Sequence, residues 1–247
     1  DNTYSLITEE AGMDSNFESS RAACWLDFDR DGYLDLYMVN RLLEEQNVLY
    51  RNNGDGTFSD VTQSAGVDGT IDKMGLVVIS FDYNNDLWPD IYIGNDMDTG
   101  NIFYKNNGDG TFTDVSEITG MDLNFSSMGL AAGDYDNNGF LDIYVTNLDW
   151  GNGLMRNNGD GTFKEIGAVS GMAYDENGRA RAGMGIDASV VDNSGKETIF
   201  VGNFSKEMIS VFRHQTGNYF EDRAALSKIG RPSLMTLTFG LFLFDAE

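Results

Sequence analysis

One cysteine, one histidine and two prolines are all that the 247-residue chain holds of those three residue types, and each scarcity closes off a class of protein. A lone Cys24, set in an apolar run, excludes a disulfide framework and reads as a small buried hydrophobe. With His214 as the single histidine, neither a multi-histidine metal site nor paired-histidine acid–base chemistry can be assembled, and a Ser-His-Asp triad would rest on that one residue. The scarcity of proline leaves no Pro-rich linker. No apolar run reaches the length of a membrane-spanning helix. The first residues lack the basic start and apolar core of an export signal, although the chain opens in mid-pattern and a leader could precede it. Positive charge is scarce as well: 16 Lys and Arg stand against 40 Asp and Glu, a formal net charge of −24. Such a surface repels nucleic acid and anionic lipid, so neither nucleic-acid binding nor membrane insertion is expected.

Glycine is abundant. Many of the 29 glycines sit in Asn-Gly and Asp-Gly pairs, which supply the positive φ of tight hairpins. With 41% apolar and 12% aromatic residues available for a core, the chain reads as all-β. Three nine-residue loops dominate it. Asp27-Phe28-Asp29-Arg30-Asp31-Gly32-Tyr33-Leu34-Asp35 leads into Leu36-Tyr37-Met38-Val39, Asp82-Tyr83-Asn84-Asn85-Asp86-Leu87-Trp88-Pro89-Asp90 into Ile91-Tyr92-Ile93, and Asp134-Tyr135-Asp136-Asn137-Asn138-Gly139-Phe140-Leu141-Asp142 into Ile143-Tyr144-Val145.

A hard cation takes about six to eight oxygens at about 2.3–2.6 Å. Side chains one, three and five of a tight loop can converge on one centre, the main-chain carbonyl of seven can join them, and a carboxylate at nine can close the shell. The candidate ligands are therefore Asp27, Asp29, Asp31, Tyr33 and Asp35, then Asp82, Asn84, Asp86, Trp88 and Asp90, then Asp134, Asp136, Asn138, Phe140 and Asp142. So many carboxylates in a flexible shell favour calcium over magnesium, and about three structural calcium ions are expected. A single such loop could be a solvated polar turn, but the recurrence weighs against that. An EF-hand needs an acidic twelfth residue and an exiting helix; Met38, Ile93 and Val145 occupy the twelfth positions, so each loop exits into a strand. Leu87 stands where the other two loops have Gly32 and Gly139, which sets the second cage apart.

The loops start 55 and 52 residues apart, the length of a four-stranded propeller blade. In the second unit the strands are predicted at roughly 74–82, 90–95, 101–105 and 111–115. The third turn recurs as Asn52-Asn53-Gly54-Asp55-Gly56-Thr57-Phe58, Asn106-Asn107-Gly108-Asp109-Gly110 and Asn157-Asn158-Gly159-Asp160-Gly161-Thr162-Phe163. Residues 4–14 match the tails of later units, such as 61–68 and 115–122, so the chain begins at the end of a unit. The expected organisation is one domain over 1–247, with units at roughly 15–68, 69–122, 123–173 and 174–230 and a partial one over 231–247, opening at Leu241. About four complete blades of a β-propeller result. Aligning Met184-Gly185 on Met128-Gly129 puts Val190, Asp192, Ser194 and Thr198 at the ligand positions of the fourth loop, where no calcium is expected.

The Asp loops, the Asn-Asn-Gly-Asp-Gly-Thr-Phe turns and the Met-Gly pairs at 74–75, 128–129 and 184–185 together resemble the FG-GAP/VCBS repeat family, in the branch of cartilage-acidic-protein-like repeat proteins. The resemblance implies a calcium-stabilised β-propeller, usually seven-bladed, of exported or surface proteins and related to integrin α-subunit heads.

The first functional expectation is a non-enzymatic calcium-binding propeller, extracellular, at the cell surface or periplasmic. It would present its variable loops to a protein, cell-surface or matrix partner, alone or within a larger assembly. The alternative is a carbohydrate-binding or polysaccharide-cleaving propeller, in which Arg179 and Arg181 would hold an anionic ligand instead of pairing with nearby carboxylates. Asn40, Asn95, Asn147 and Asn203 each close the second strand of a unit, as caps or as a ring of amides on one surface.

Overall fold

The computed structural model describes residues 5–13, 19–42, 45–69, 72–97, 99–193, 195–215 and 218–243. Its strands form four antiparallel sheets, each of four consecutive strands. The first holds β1 (Ser20–Leu26), β2 (Asp35–Asn40), β3 (Val48–Asn52) and β4 (Phe58–Asp60). The second holds β5 (Met74–Phe81), β6 (Asp90–Asp96), β7 (Ile102–Asn106) and β8 (Phe112–Asp114), close to the predicted ranges. The third comprises β9 (Ser127–Gly133), β10 (Asp142–Asn147), β11 (Gly153–Asn157) and β12 (Phe163–Glu165). The fourth comprises β13 (Gly183–Ser189), β14 (Thr198–Asn203), β15 (Ser210–His214) and β16 (Phe220–Asp222). A meander places the Asp loops and the Asn-Gly-Asp-Gly turns at one end of each of the first three sheets and the loops between second and third strands at the other.

The sheets stack through their faces. Tyr37, Val39 and Leu49 of the first meet Ile91, Ile93 and Tyr104 of the second. Tyr92, Phe103 and Met121 meet Ile143, Val145 and Met155, and Tyr144, Leu154 and Met172 meet Ile199, Val201 and Phe212. Each sheet thus has a forward face, turned to the following unit. A strand covered on both faces needs no polar alternation, which is why β6 is buried along its whole length. The first strands β1, β5, β9 and β13 are neighbours in sequence order.

The tails of the units contain a feature the all-β reading did not anticipate, four-residue helical turns too short to leave a 3.6-residue period. These are α1 (Thr62–Ala65), α2 (Ser116–Thr119) and α3 (Gly167–Ser170). Asp60 Oδ1 accepts from Thr62 N and Oγ1, and Asp114 Oδ1 accepts likewise from Ser116. Each turn ends on a left-handed glycine, Gly66, Gly120 or Gly171. The reversal tucks in a fully buried anchor, Val67, Met121 or Met172, whose carbonyl accepts from the hydroxyl of Tyr37, Tyr92 or Tyr144 at 2.7, 3.2 and 2.8 Å. Residues 7–13 repeat the device: Ala11 N donates to Ile7 O, and Gly12 at φ 76 lies against Phe58. The described chain therefore opens on the tail of a unit.

Strand register corrects one alignment. Phe81, Gly133 and Ser189 pair with the ninth loop positions Asp90, Asp142 and Thr198, which makes Val77 the counterpart of Gly129 and Gly185. The Met74-Gly75 pair stands two residues early, and Gly75 matches Ser127. Among the described residues 231–243 no strand forms; α4 (Gly230–Ser233) opens the stretch. Even so, Phe239 takes up an inner-strand position: its carbonyl faces Gly185 as Met184 O faces Gly129. The residues expected as the fifth unit's first possible ligands, Asp245 and Glu247, lie outside the described residues.

Candidate metal centres

Each loop is wound by its own first residue. Asp27 Oδ2 accepts from Gly32 N at 3.1 Å, Asp82 Oδ2 from Leu87 N at 2.7 Å, and Asp134 Oδ2 from Gly139 N at 2.9 Å. Position four is left-handed in all three, at Arg30, Asn85 and Asn137, and so is position six, where Leu87 at φ 70 reproduces the turn of Gly32 and Gly139. The missing glycine leaves the winding of the second loop unchanged.

In the first loop carboxylate oxygens of Asp27, Asp29 and Asp35 lie within 4.8 Å of one another, as do those of Asp134, Asp136 and Asp142 in the third. The second has the same frame around Asp82 and Asp90, with Asn84 at position three. Asp27 Oδ1 is buried and accepts no hydrogen bond from the protein, an unsatisfied acceptor that a cation would satisfy. These acidic clusters can hold a metal ion.

Position five behaves differently from the other ligand positions. Asp31 Oδ2 accepts from Arg51 Nη2 at 2.9 Å, while Arg51 Nε donates to Asp29 at 2.5 Å; Asp86 Oδ2 accepts from Asn84, and Asn138 Nδ2 donates to Asn157 O. Position seven turns its N–H to position five in every loop, at Tyr33, Trp88 and Phe140. Its ring covers the turn beside it, packing where a side chain on Gly54, Gly108 or Gly159 would have to go.

The ninth residues are fully enclosed. Asp35 accepts from Phe28 N and Asn52 N, Asp90 from Tyr83 N and Asn106 N, and Asp142 from Tyr135 N and Asn157 N. Burial nevertheless dominates over these bonds and pushes the carboxyl groups up, to about 6 for Asp35 and about 7 for Asp90 and Asp142, with neighbouring aspartates adding to the rise. A bound cation acts in the opposite direction, because it favours the charged form.

Two sets of residues were not singled out as site residues in the sequence. Arg51 and Arg156, on the third strands, reach the position-three aspartates; Arg156 Nε lies 3.1 Å from Asp136 without hydrogen-bond alignment. Asn106 Nδ2 donates to Phe28 O at 2.9 Å and Asn157 Nδ2 to Tyr83 O at 2.8 Å, so each turn asparagine holds the second residue of the preceding unit's loop. Recurrence of Arg/Lys-Asn before every turn was the available signal. The loops also touch directly, Arg30 lying 5.2 Å over the Trp88 ring and Asn85 Nδ2 donating to Gly139 O.

Residues 27–93, 82–145 and 134–187 each match the FG-GAP-like repeat, and every match opens on the first aspartate of a loop. The chain belongs to the FG-GAP-like repeat family. It is also similar to cartilage acidic protein 1, at 32% identity over 104 residues for Xenopus tropicalis, covering 41% of this chain and 16% of that protein. For Homo sapiens the identity is 27% over 183 residues, covering 69% of this chain and 27% of that protein. The matches therefore span only 16% and 27% of these relatives' own lengths.

The other candidates are accounted for structurally. Asn40, Asn95, Asn147 and Asn203 are buried, not displayed as a surface ring; Asn40, Asn95 and Asn203 donate to the carbonyls of Gln46, Gly100 and Met208 in the adjoining loops. Arg181 is buried and donates to Asp222 at 2.7 Å and Glu176 at 3.1 Å, so it pairs with carboxylates in the way weighed above. Cys24 is partly buried, and desolvation pushes its thiol up to about 12. No helix among the described residues is long and apolar enough to cross a membrane.

Proposed function

We propose that the chain forms blades of a calcium-stabilised β-propeller that acts outside the cell as a non-enzymatic interaction module. The carrying observation is the buried, unpartnered Asp27 Oδ1 within a carboxylate cluster that recurs at Asp134, Asp136 and Asp142. The succession of first strands β1, β5, β9 and β13 along one line of contact supports a radial arrangement. Calcium in the loops would fasten each second strand to the next unit, since Asn106 and Asn157 bind the carbonyls of loop residues Phe28 and Tyr83. An extracellular setting suits such sites, where calcium modules work at about 0.1–1 mM affinity, and the similar proteins are named for cartilage and for their acidity. The loops between second and third strands, at the end away from the metal loops, vary in sequence and are the surface offered to a protein or matrix partner.

Calorimetric titration of chelator-stripped protein with calcium, with melting followed in parallel, tests this reading. Binding of about three ions with a rise in Tm of about 10 °C or more is expected, since each site held at 100 times its Kd adds about 2.7 kcal/mol. Melting that is indifferent to chelator would remove calcium from the account.

A further inference from the structure

The contact between the third and fourth sheets is built differently from the two before it. Strand register makes Leu26, Phe81 and Gly133 equivalent, each paired with the ninth residue of its own loop. Leu26 and Phe81 are buried in the clusters that join their sheets to the following unit, and Leu141, the eighth residue of the third loop, packs against the Phe81 cluster. Between the third and fourth sheets both partners change. Gly133 has no side chain, and the eighth residue of the fourth loop, just before Thr198, is Glu197. A Cβ on Gly133 would stand 2.9 Å from Glu197 Oε2, so the carboxylate comes up to the place where Leu26 and Phe81 carry their side chains. Ala131 likewise replaces the larger Cys24 and Ile79 of the earlier units.

These exchanges leave a cavity of about 20 Å³ between the two sheets, room for about one water molecule. Tyr135, Asp142 and Glu197 line it together with Ala131, Ala132 and Gly133. Two polar groups there lack partners. Tyr135 is 6% exposed, and its Oη is buried with no hydrogen bond. Glu197 is partly buried and forms no ion pair among the described residues. The charge that bears on its carboxylate is that of Asp134, the first residue of the third loop. Like charges brought together in a partly desolvated place repel unless a cation lies between them. The carboxylate count of the loops points the same way. The first loop has four, Asp27, Asp29, Asp31 and Asp35, whereas the third has three, with Asn138 at position five. Asn138 gives its amide to Asn157 O and its oxygen to Phe140 N. The second loop, with Asn84 at position three, also has three and is followed by Leu141 in the next unit. Only at the third does the following unit bring a carboxylate to the same place.

We propose that Glu197 serves the third metal centre as a fourth carboxylate, supplied by the following unit and reaching a bound divalent cation through one water held on Tyr135 Oη. This role rests on the calcium reading of the loops and makes the third site span two units. Calorimetric titration of the chelator-stripped whole chain with calcium tests it on Glu197→Gln and Tyr135→Phe. Glu197→Gln is expected to weaken one site about tenfold and leave the others unchanged, the effect of one charge on a divalent ion across a water. Tyr135→Phe, which removes only the hydroxyl, should weaken the same site about threefold. Asp136→Asn, which disables the third loop itself, identifies that site: on its background Glu197→Gln should have no further effect on calcium binding. Asn138→Asp, which puts a carboxylate back into the loop, should recover the affinity lost in Glu197→Gln. Melting separates this role from packing, since Glu197→Gln should keep its Tm in chelator and lose part of the rise that calcium gives. Full calcium affinity in either single variant, with the wild type binding about three ions, would overturn the proposal and leave the calcium reading standing. An equal fall in Tm with and without calcium would do the same. A wild type that binds no calcium would overturn both.

Discussion

Leu87 holds a backbone conformation that its loop equivalents assign to glycine: φ is 70 at Leu87, 89 at Gly32 and 87 at Gly139. A left-handed residue with a Cβ costs about 1–2 kcal/mol, and Leu87 is 68% exposed, so its side chain recovers little by burial. Leu87→Gly is therefore expected to stabilise the chelator-treated protein by about 1 kcal/mol, after the entropy of the freer unfolded chain is deducted. Urea unfolding at constant m-value measures it, and a loss of stability would mean that the leucine makes contacts that matter. Left-handed glycine is the same physics in reverse at the tails, where Gly66, Gly120 and Gly171 fold the buried anchors under their sheets.

At the scale of elements, the sheets approach so closely that single glycines set their spacing. A Cβ on Gly129 of β9 would stand 2.4 Å from Met184 O on β13, while one on Gly240 would meet nothing within 4 Å. Gly129→Ala should cost about 3 kcal/mol by overpacking, and Gly240→Ala should change stability by less than about 0.5 kcal/mol; thermal melting of the two variants side by side checks the pair. The strands and loops that create this contact were legible because their signals are local: apolar runs such as Ile91-Tyr92-Ile93, Asn-Gly turns, and aspartates at alternate positions. What escaped sequence reading depends on neighbours in space. The two-residue offset of Met74-Gly75 appears only once β5 is paired with β6, and the bond from Asn157 to Tyr83 O joins residues of different units.

For the whole molecule, the buried ninth-position carboxylates couple folding to pH, and the sign depends on calcium. Burial raises Asp35 to about 6 and Asp90 and Asp142 to about 7, above the value of about 3.9 for an aspartate in an unfolded chain. Between these limits the metal-free folded state binds more protons than the unfolded one, so its stability is fully present below about pH 4 and falls as pH rises through 6 to 7. Glu197, also raised by burial, adds to the trend. His214 is lowered by desolvation and by Lys196, and so acts in the opposite sense, as one group against several. The depressed carboxyls of Asp55, Asp109 and Asp160, held by their turn threonines, change protonation below this window. In chelator, Tm is therefore expected to drop between pH 5 and pH 8, and Asp90→Asn should flatten the slope. With saturating calcium the ion competes with the protons for the same oxygens, so Tm should rise over the same interval. Differential scanning calorimetry across that range, with and without calcium, decides the matter: parallel slopes in the two series would show that the enclosed aspartates take no part in holding a cation.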